Sequence, residues 1–258
     1  MGKFFDDISE NHADWIRKQK LVFVSTAPLD PNGKVNLSPK GYDCFRVIGP
    51  NQVCYLEMTG SGIETQSHLQ ENGRITIMFC AFEGGPKILR IFGHGTVLRI
   101  GTPEYNHLFA AQYTPENCDI YSAKGIRSII LIDVYKVGTS CGWGVPFFDY
   151  KGSRETLNRM SAKITDEKFG GFWVKMNTTS LDGLPGMRHE RMGEKWAVLS
   201  REDRKTLERF KKLGGGSGGA RWWDVKYLTE SAAILAVGAG VGTVVGAAAA
   251  VLFMNKRA

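Results

Sequence analysis

The stretch VNLSPKGYD, Val35–Asp43, follows the turn LDPNGK, and its reading decides the fold. Taken as a strand, it puts alternate side chains on one face, so Asn36, Ser38 and Lys40 stand together. An amide, a hydroxyl and an ammonium are poor material for a core. Two readings follow. One is an edge strand with a solvated face; the other is an anion site, in which the Ser38 hydroxyl and the Lys40 ammonium converge on phosphate oxygens.

Outward from this stretch the chain is a series of short β-rich runs: LVFVSTA, KVNLSP, CFRVI, QVCYLEM, RITIMFCAF, KILRIFGHGTVLRI and RSIILIDVYKV. Pro31-Asn32-Gly33 and Gly49-Pro50-Asn51 carry hairpin turn chemistry. About seven strands with few helices between them predict an antiparallel sheet closed into a small barrel, an α+β chain that is mainly β. The opening MGKFFDDISENHADWIRKQK reads as a short amphipathic helix offering Ala13, Trp15 and Ile16 to a partner. SGIETQSHLQENG has Ser61 and Glu64 at capping-box spacing with Gly73 at its end, and TPEYNHLFAAQY has Thr102 before Pro103. Beyond Lys151 the chain turns polar and helical, with SRETLNRMSAKI, a turn at LDGLPG, and the charged helix Arg201–Lys212. The domain reading is a barrel over 1–150, a polar helical extension over 151–212, a tether and interfacial segment over 213–230, and a membrane helix over 231–255.

The chain has 258 residues, 43% of them hydrophobic, which is room for a real core. Lys and Arg exceed Asp and Glu by 33 to 26, a net +7, but no stripe of interleaved aromatic and basic residues points to nucleic acid. Five scattered cysteines and five scattered histidines form no metal-ligand spacing, which predicts no metal and reduced thiols in a reducing compartment.

The last segment is the clearest physical signal. From Ala232 to Met254 there is no charge, and a helix of that length spans roughly 34 Å, enough for a hydrocarbon core of about 30 Å. Trp222, Trp223 and Tyr227 precede it, Lys256 and Arg257 close it, and Gly238, Gly242 and Gly246 repeat every fourth position. GGGSGG, Gly214–Gly219, is a flexible tether. The expectation is a single-pass C-terminal anchor in a lipid bilayer, with the barrel facing the cytosol.

The strand VNLSPKG, a hairpin, then TGSGIETQSHLQENGRITIMF, ILRIFGHGTV and IILIDVYKVGTSCGWGVPF, in that order, resemble the pyridoxamine 5′-phosphate oxidase-like flavoproteins over about Phe4–Tyr150. The resemblance implies an FMN-binding split barrel, a homodimer with the flavin in a groove between subunits, and oxidoreductase activity on a small molecule that the sequence does not name. It places the flavin phosphate at Lys40, with Ser38 beside it, and along Thr59, Ser61, Gly62 and Thr65; Arg90 is a further candidate. The helix start departs from the family: where many members carry an Arg-Lys pair, this chain has Glu64-Thr65. The basic C-terminal segment that holds substrate in the true oxidases is replaced here by the polar extension. No protein acid or base is demanded, because the flavin carries the chemistry. The alternative is a non-catalytic, membrane-tethered binding or adaptor protein that keeps the barrel without the flavin. His94 reads as a strand residue between two glycines, and Cys141 and Trp143 either approach the flavin ring or pack beneath the rim.

Overall fold

The structure is a computed structural model and describes residues 2–187, which lie within the first of two compact units, 1–207 and 208–258. The charged helix, the tether, the tryptophan pair and the apolar span named above lie outside the described residues. In chain order the elements are β1 (Lys3–Phe5), α1 (Glu10–Arg17), β2 (Val22–Thr26), β3 (Asn36–Lys40), β4 (Phe45–Gly49), β5 (Gln52–Met58), α2 (Glu64–Asn72), β6 (Arg74–Cys80), β7 (Ile88–Arg99), α3 (Pro103–Gln112), β8 (Ile126–Ser140), α4 (Thr156–Lys163) and α5 (Asp166–Asn177).

All seven expected strands form, and every pairing is antiparallel. Their order is β3-β2-β6-β7-β8-β5-β4. Four steps separate β6 from β4, about 19 Å in a flat sheet. Yet the rings of Phe79 on β6 and Phe45 on β4 meet edge to face at 5.2 Å. The sheet therefore curls round a single core, with Val24, Val53, Ile77, Leu89, Ile91, Ile129 and Ile132 fully buried inside it. The curl is left open: β3 and β4 end the order and do not pair with each other.

Three expectations need correction. The N-terminal stretch is not helical from its start, because Lys3–Phe5 pairs with Val137–Thr139 of β8. Three residues are too few to show alternation, and the partner lies more than 130 positions away. In α1, Ala13 and Ile16 are buried and Trp15 packs against them, so the apolar face serves this chain's own core. The capping box on α2 does not form: the N-cap is Ile63, without a side-chain cap, and Glu64 is the first helical residue. The other end is as expected, with Gly73 left-handed at φ 72 and its N–H bonded to Leu69 O. Thr102 caps α3 ahead of Pro103, as its sequence requires.

The extension also holds an element that its polarity conceals. α5 buries Phe169, Trp173 and Val174, and Phe169 and Trp173 pack with Ile63 and Met187 in a second apolar cluster. Beyond it, the chain doubles back through the LDGLPG turn, with Thr179 bridged to Pro185.

Candidate functional site

β3 is paired so that Lys40 stands opposite Val22, Ser38 opposite Val24 and Asn36 opposite Thr26. All three partners on β2 are buried, so Asn36, Ser38 and Lys40 face inward, half-buried, while Leu37 and Val35 are exposed. The edge-strand reading of VNLSPKGYD holds, except that the polar face is not the solvated one. The strand ends the sheet, and its polar face turns into the molecule.

That face is wired to α2. Ser38 Oγ donates to Asn36 Oδ1 at 2.9 Å, and Asn36 Nδ2 donates to Thr26 Oγ1 and to Thr65 Oγ1, both at 3.1 Å. Thr26 Oγ1 lies 2.9 Å from His68 Nδ1, whose ring burial holds below its ordinary pKa. Lys40 has no hydrogen bond or ion pair among the described residues. Desolvation lowers its pKa, with the nearby Glu57 carboxylate opposing the shift. Tyr42, two residues on, has φ 64, a left-handed conformation uncommon outside glycine. It lines, with Lys40, Asp43 and Arg46, a cavity of about 280 Å³ at the open seam between β3 and β4.

Deeper in, Glu57 Oε2 accepts from Gln66 Nε2 at 2.5 Å, Ser128 Oγ at 2.8 Å and Arg127 Nε at 3.1 Å. Burial alone would raise the Glu57 pKa; Arg127 and Lys40 outweigh it and leave the carboxyl below the usual range. Arg127 also donates to Gly62 O at 3.1 Å, tying the pair to the loop that enters α2. This pair was missed in the sequence. Its signal was a lone Glu inside the apolar run QVCYLEM and an Arg opening RSIILI.

At the start of α2 the N-cap Ile63 makes no side-chain cap, so among the described residues the first-turn N–H groups lack that partner, and such groups can hold an anion. The Glu64 carboxylate, at the place of the family's basic pair, is turned aside. Its Oε1 accepts from Leu181 N–H at 3.3 Å, and its Oε2 lies 2.2 Å from where a Cβ on Gly62 would stand. A side chain at position 62 would force the carboxylate out.

The α5 segment closes this loop from behind. Trp173 Nε1 donates to Thr59 Oγ1 at 2.8 Å, and Asn177 Nδ2 donates to Gly60 O at 3.0 Å and Gly62 O at 3.2 Å. Asp182 takes both the N–H and the ammonium of Lys34 at 2.7 Å, joining the turn after α5 to the loop between β2 and β3.

Of the seven expected site residues, Ser38 and Thr65 are joined through Asn36, Lys40 stands farther along the same face of β3, and Ser61 and Gly62 occupy the loop into α2. Thr59 lies under Trp173. Arg90 stands between the buried Leu89 and Ile91 on β7 and so points to the other face of the strand, where it bonds Ser140 Oγ at 3.4 Å. His94 is exposed and tilted against Tyr135. Cys141 and Trp143 are both exposed, Trp143 at 85%, so neither packs beneath the rim. The other four cysteines are buried thiols, Cys44 pushed up to about 12 by desolvation.

The family model described as pyridoxamine 5′-phosphate oxidase matches residues 8–141. A curated relative from Aspergillus flavus, the pyridoxamine 5′-phosphate oxidase family protein ustO, is 38% identical over 211 residues, covering 76% of this chain and 81% of the relative. Among solved structures, Group A Streptococcus HupZ is 22% identical with TM-score 0.40, covering 52% of this chain and 99% of its own. An FMN-binding protein of Syntrophomonas wolfei is 15% identical with TM-score 0.33, covering 48% and 79%.

Proposed function

This chain belongs to the pyridoxamine 5′-phosphate oxidase family, and from that premise we propose that it is an FMN-dependent oxidoreductase acting on a small molecule. The observation that carries the reading is Lys40, a desolvated ammonium with no hydrogen bond or ion pair among the described residues, on a face shared with Ser38 and joined through Asn36 to the first turn of α2. A phosphate there would meet the Lys40 ammonium, the Ser38 and Thr65 hydroxyls, and the uncapped amides of α2. Such a group restores the charge balance that burial has disturbed. The residues fit the group in spite of Glu64. At 4 Å a carboxylate would repel a phosphate by about 4 kcal/mol at an effective dielectric of 20. Here the Leu181 N–H holds that carboxylate to one side.

Bound FMN supplies the hydride and electron chemistry. The protein's share is to hold and orient it. Lys40, Ser38 and the α2 amides fix the phosphate end, while the Glu57–Arg127 pair keeps the loop ahead of α2 in place through Gly62 O. The cavity beside Lys40, about 280 Å³, adjoins a wider one of about 1230 Å³ lined by Pro39, Gly41 and Tyr42, and a homodimer in which a second copy covers this side is part of the proposal. The charge-free run Ala232–Met254 supports tethering to a bilayer, so the full chain should resist carbonate extraction; recovery in the soluble fraction would overturn the tether.

The test is the flavin itself. The purified full chain is expected to show flavin absorbance or to take up added FMN; a colourless protein that binds none refutes the proposal. One observation, Glu64 at a basic position, favours the second reading, a membrane-tethered binding protein without the cofactor. That result would select it.

A further inference from the structure

The α5 segment lies beyond the residues matched by the family model, 8–141, yet its contacts with the barrel concentrate on the loop that enters α2. We infer that Asn177, at the end of α5, is a positioning residue that sets the direction of the backbone amides at the candidate phosphate site. In a trans peptide the carbonyl and the following N–H point opposite ways. Asn177 Nδ2 takes both Gly60 O and Gly62 O, so the next N–H groups, of Ser61 and Ile63, are turned away from α5. Arg127 holds Gly62 O as well, at 3.1 Å, and the loop is therefore fixed by donors from two elements.

Asn177 suits this task for reasons the structure supplies. Its side chain is fully buried and Oδ1 has no partner among the described residues, so the amide serves its two donated bonds. Its own backbone is locked too, since Met187 N–H donates to Asn177 O at 2.8 Å and Gly186 N–H to Thr178 O at 2.8 Å. Gly186 admits no side chain, because a Cβ would stand 2.5 Å from Asn177 O and 2.8 Å from Ile63. The returning strand after the LDGLPG turn is thus pressed against both the clamp and the N-cap of α2. The start of the same turn delivers Leu181 N–H to Glu64. One segment both aims the amides and turns aside the one carboxylate that would oppose an anion.

The experiment uses the full chain and two variants, Asn177→Ala and the isosteric Asn177→Asp, with FMN and riboflavin as paired probes. Riboflavin has the ring system without the phosphate. A positioning role predicts that FMN binds about tenfold more weakly in both variants while riboflavin changes by less than about twofold. It also predicts that hydrogen exchange at the Ser61–Glu64 amides speeds by about tenfold with the rest of the sheet unchanged. Equal losses for the two probes, or unchanged exchange at these amides, overturn the inference. So does failure of both variants to fold, which would make Asn177 a folding residue. The flavin arm rests on the function proposed above and the exchange arm does not. A wild-type chain that binds neither probe would sink that function and leave the exchange result to decide Asn177.

Discussion

Replacing Glu57 by methionine strands a guanidinium inside the protein, and the cost can be worked from its surroundings. The Glu57 and Arg127 side chains are 1% and 4% exposed, and the carboxylate receives three donors, from Arg127, Ser128 and Gln66. With the anion gone, the Arg127 charge keeps only Gly62 O among its described partners. Breaking one side of a buried pair costs about 3–5 kcal/mol, against a typical total stability of about 5–15 kcal/mol. At about 2–4 °C per kcal/mol for a domain of this size, Tm falls by roughly 6–20 °C. Arg127→Met should cost a similar amount by stranding the carboxylate. The double variant removes both charges and should cost less than either single change, because an apolar pair of similar volume suffers no desolvation. Urea denaturation of the full chain at neutral pH measures all three, with the slopes compared to check that the unfolded state is unchanged. Single variants losing under about 1 kcal/mol, or a double variant losing the sum of the two, would refute this account.

Three further outcomes are expected. The Glu57 pKa is depressed in the folded state, so its contribution is present above the usual carboxylate range and lost as pH falls through the folded value; Glu57→Gln should flatten the acid limb of stability, and parallel limbs would count against the pair. Burial lowers the Lys40 pKa, so FMN affinity should fall as pH rises through that lowered value, and Lys40→Ala should weaken binding by about 1.5–3 kcal/mol and abolish that alkaline dependence; an unaltered titration would return β3 to a plain edge strand. Trp173→Ala, at a fully buried ring, should cost about 3–5 kcal/mol and speed proteolysis after α4, with Trp173→Phe milder because it keeps an aromatic ring while losing the Thr59 bond and part of the buried volume; a wild-type cleavage rate in the alanine variant would show α5 to be undocked.

The strands were legible because their signal is local. RITIMFCAF and QVCYLEM carry enough apolar and β-branched residues to name themselves, and the Pro31-Asn32-Gly33 turn sets the β2–β3 hairpin. Lys40 and Ser38 were legible for the same reason, as a breach of the apolar pattern. What failed was everything that depends on distant partners. Glu64 suggested a local capping box, but its acceptor is used by Leu181, 117 positions away. The three residues of β1 have meaning only against β8, and Asn177 only against Gly60 and Gly62. α5 was hidden by its composition: Gly170-Gly171 in its middle weakens helix propensity. The face that Arg90 takes is set by the burial of Leu89 and Ile91 on either side of it, which the sequence did not reveal.

β8 pairs with β1, β5 and β7, and this sets a clock on the newborn chain. Hairpins such as β6–β7 close within microseconds of leaving the ribosome. Phe4, however, has no neighbour until Gly138 is made, and Gln52 none on its outer side until Asp133. At about 5–20 residues per second, the N-terminal strand waits roughly 7–27 s for the strand that receives it. Through that interval the unpaired edges of β5 and β7 and the aromatic side chain of Tyr55, fully buried in the finished fold, are open to other chains. Assembly must then come late and nearly all at once, which makes nascent chains that stall short of β8 natural clients of chaperones.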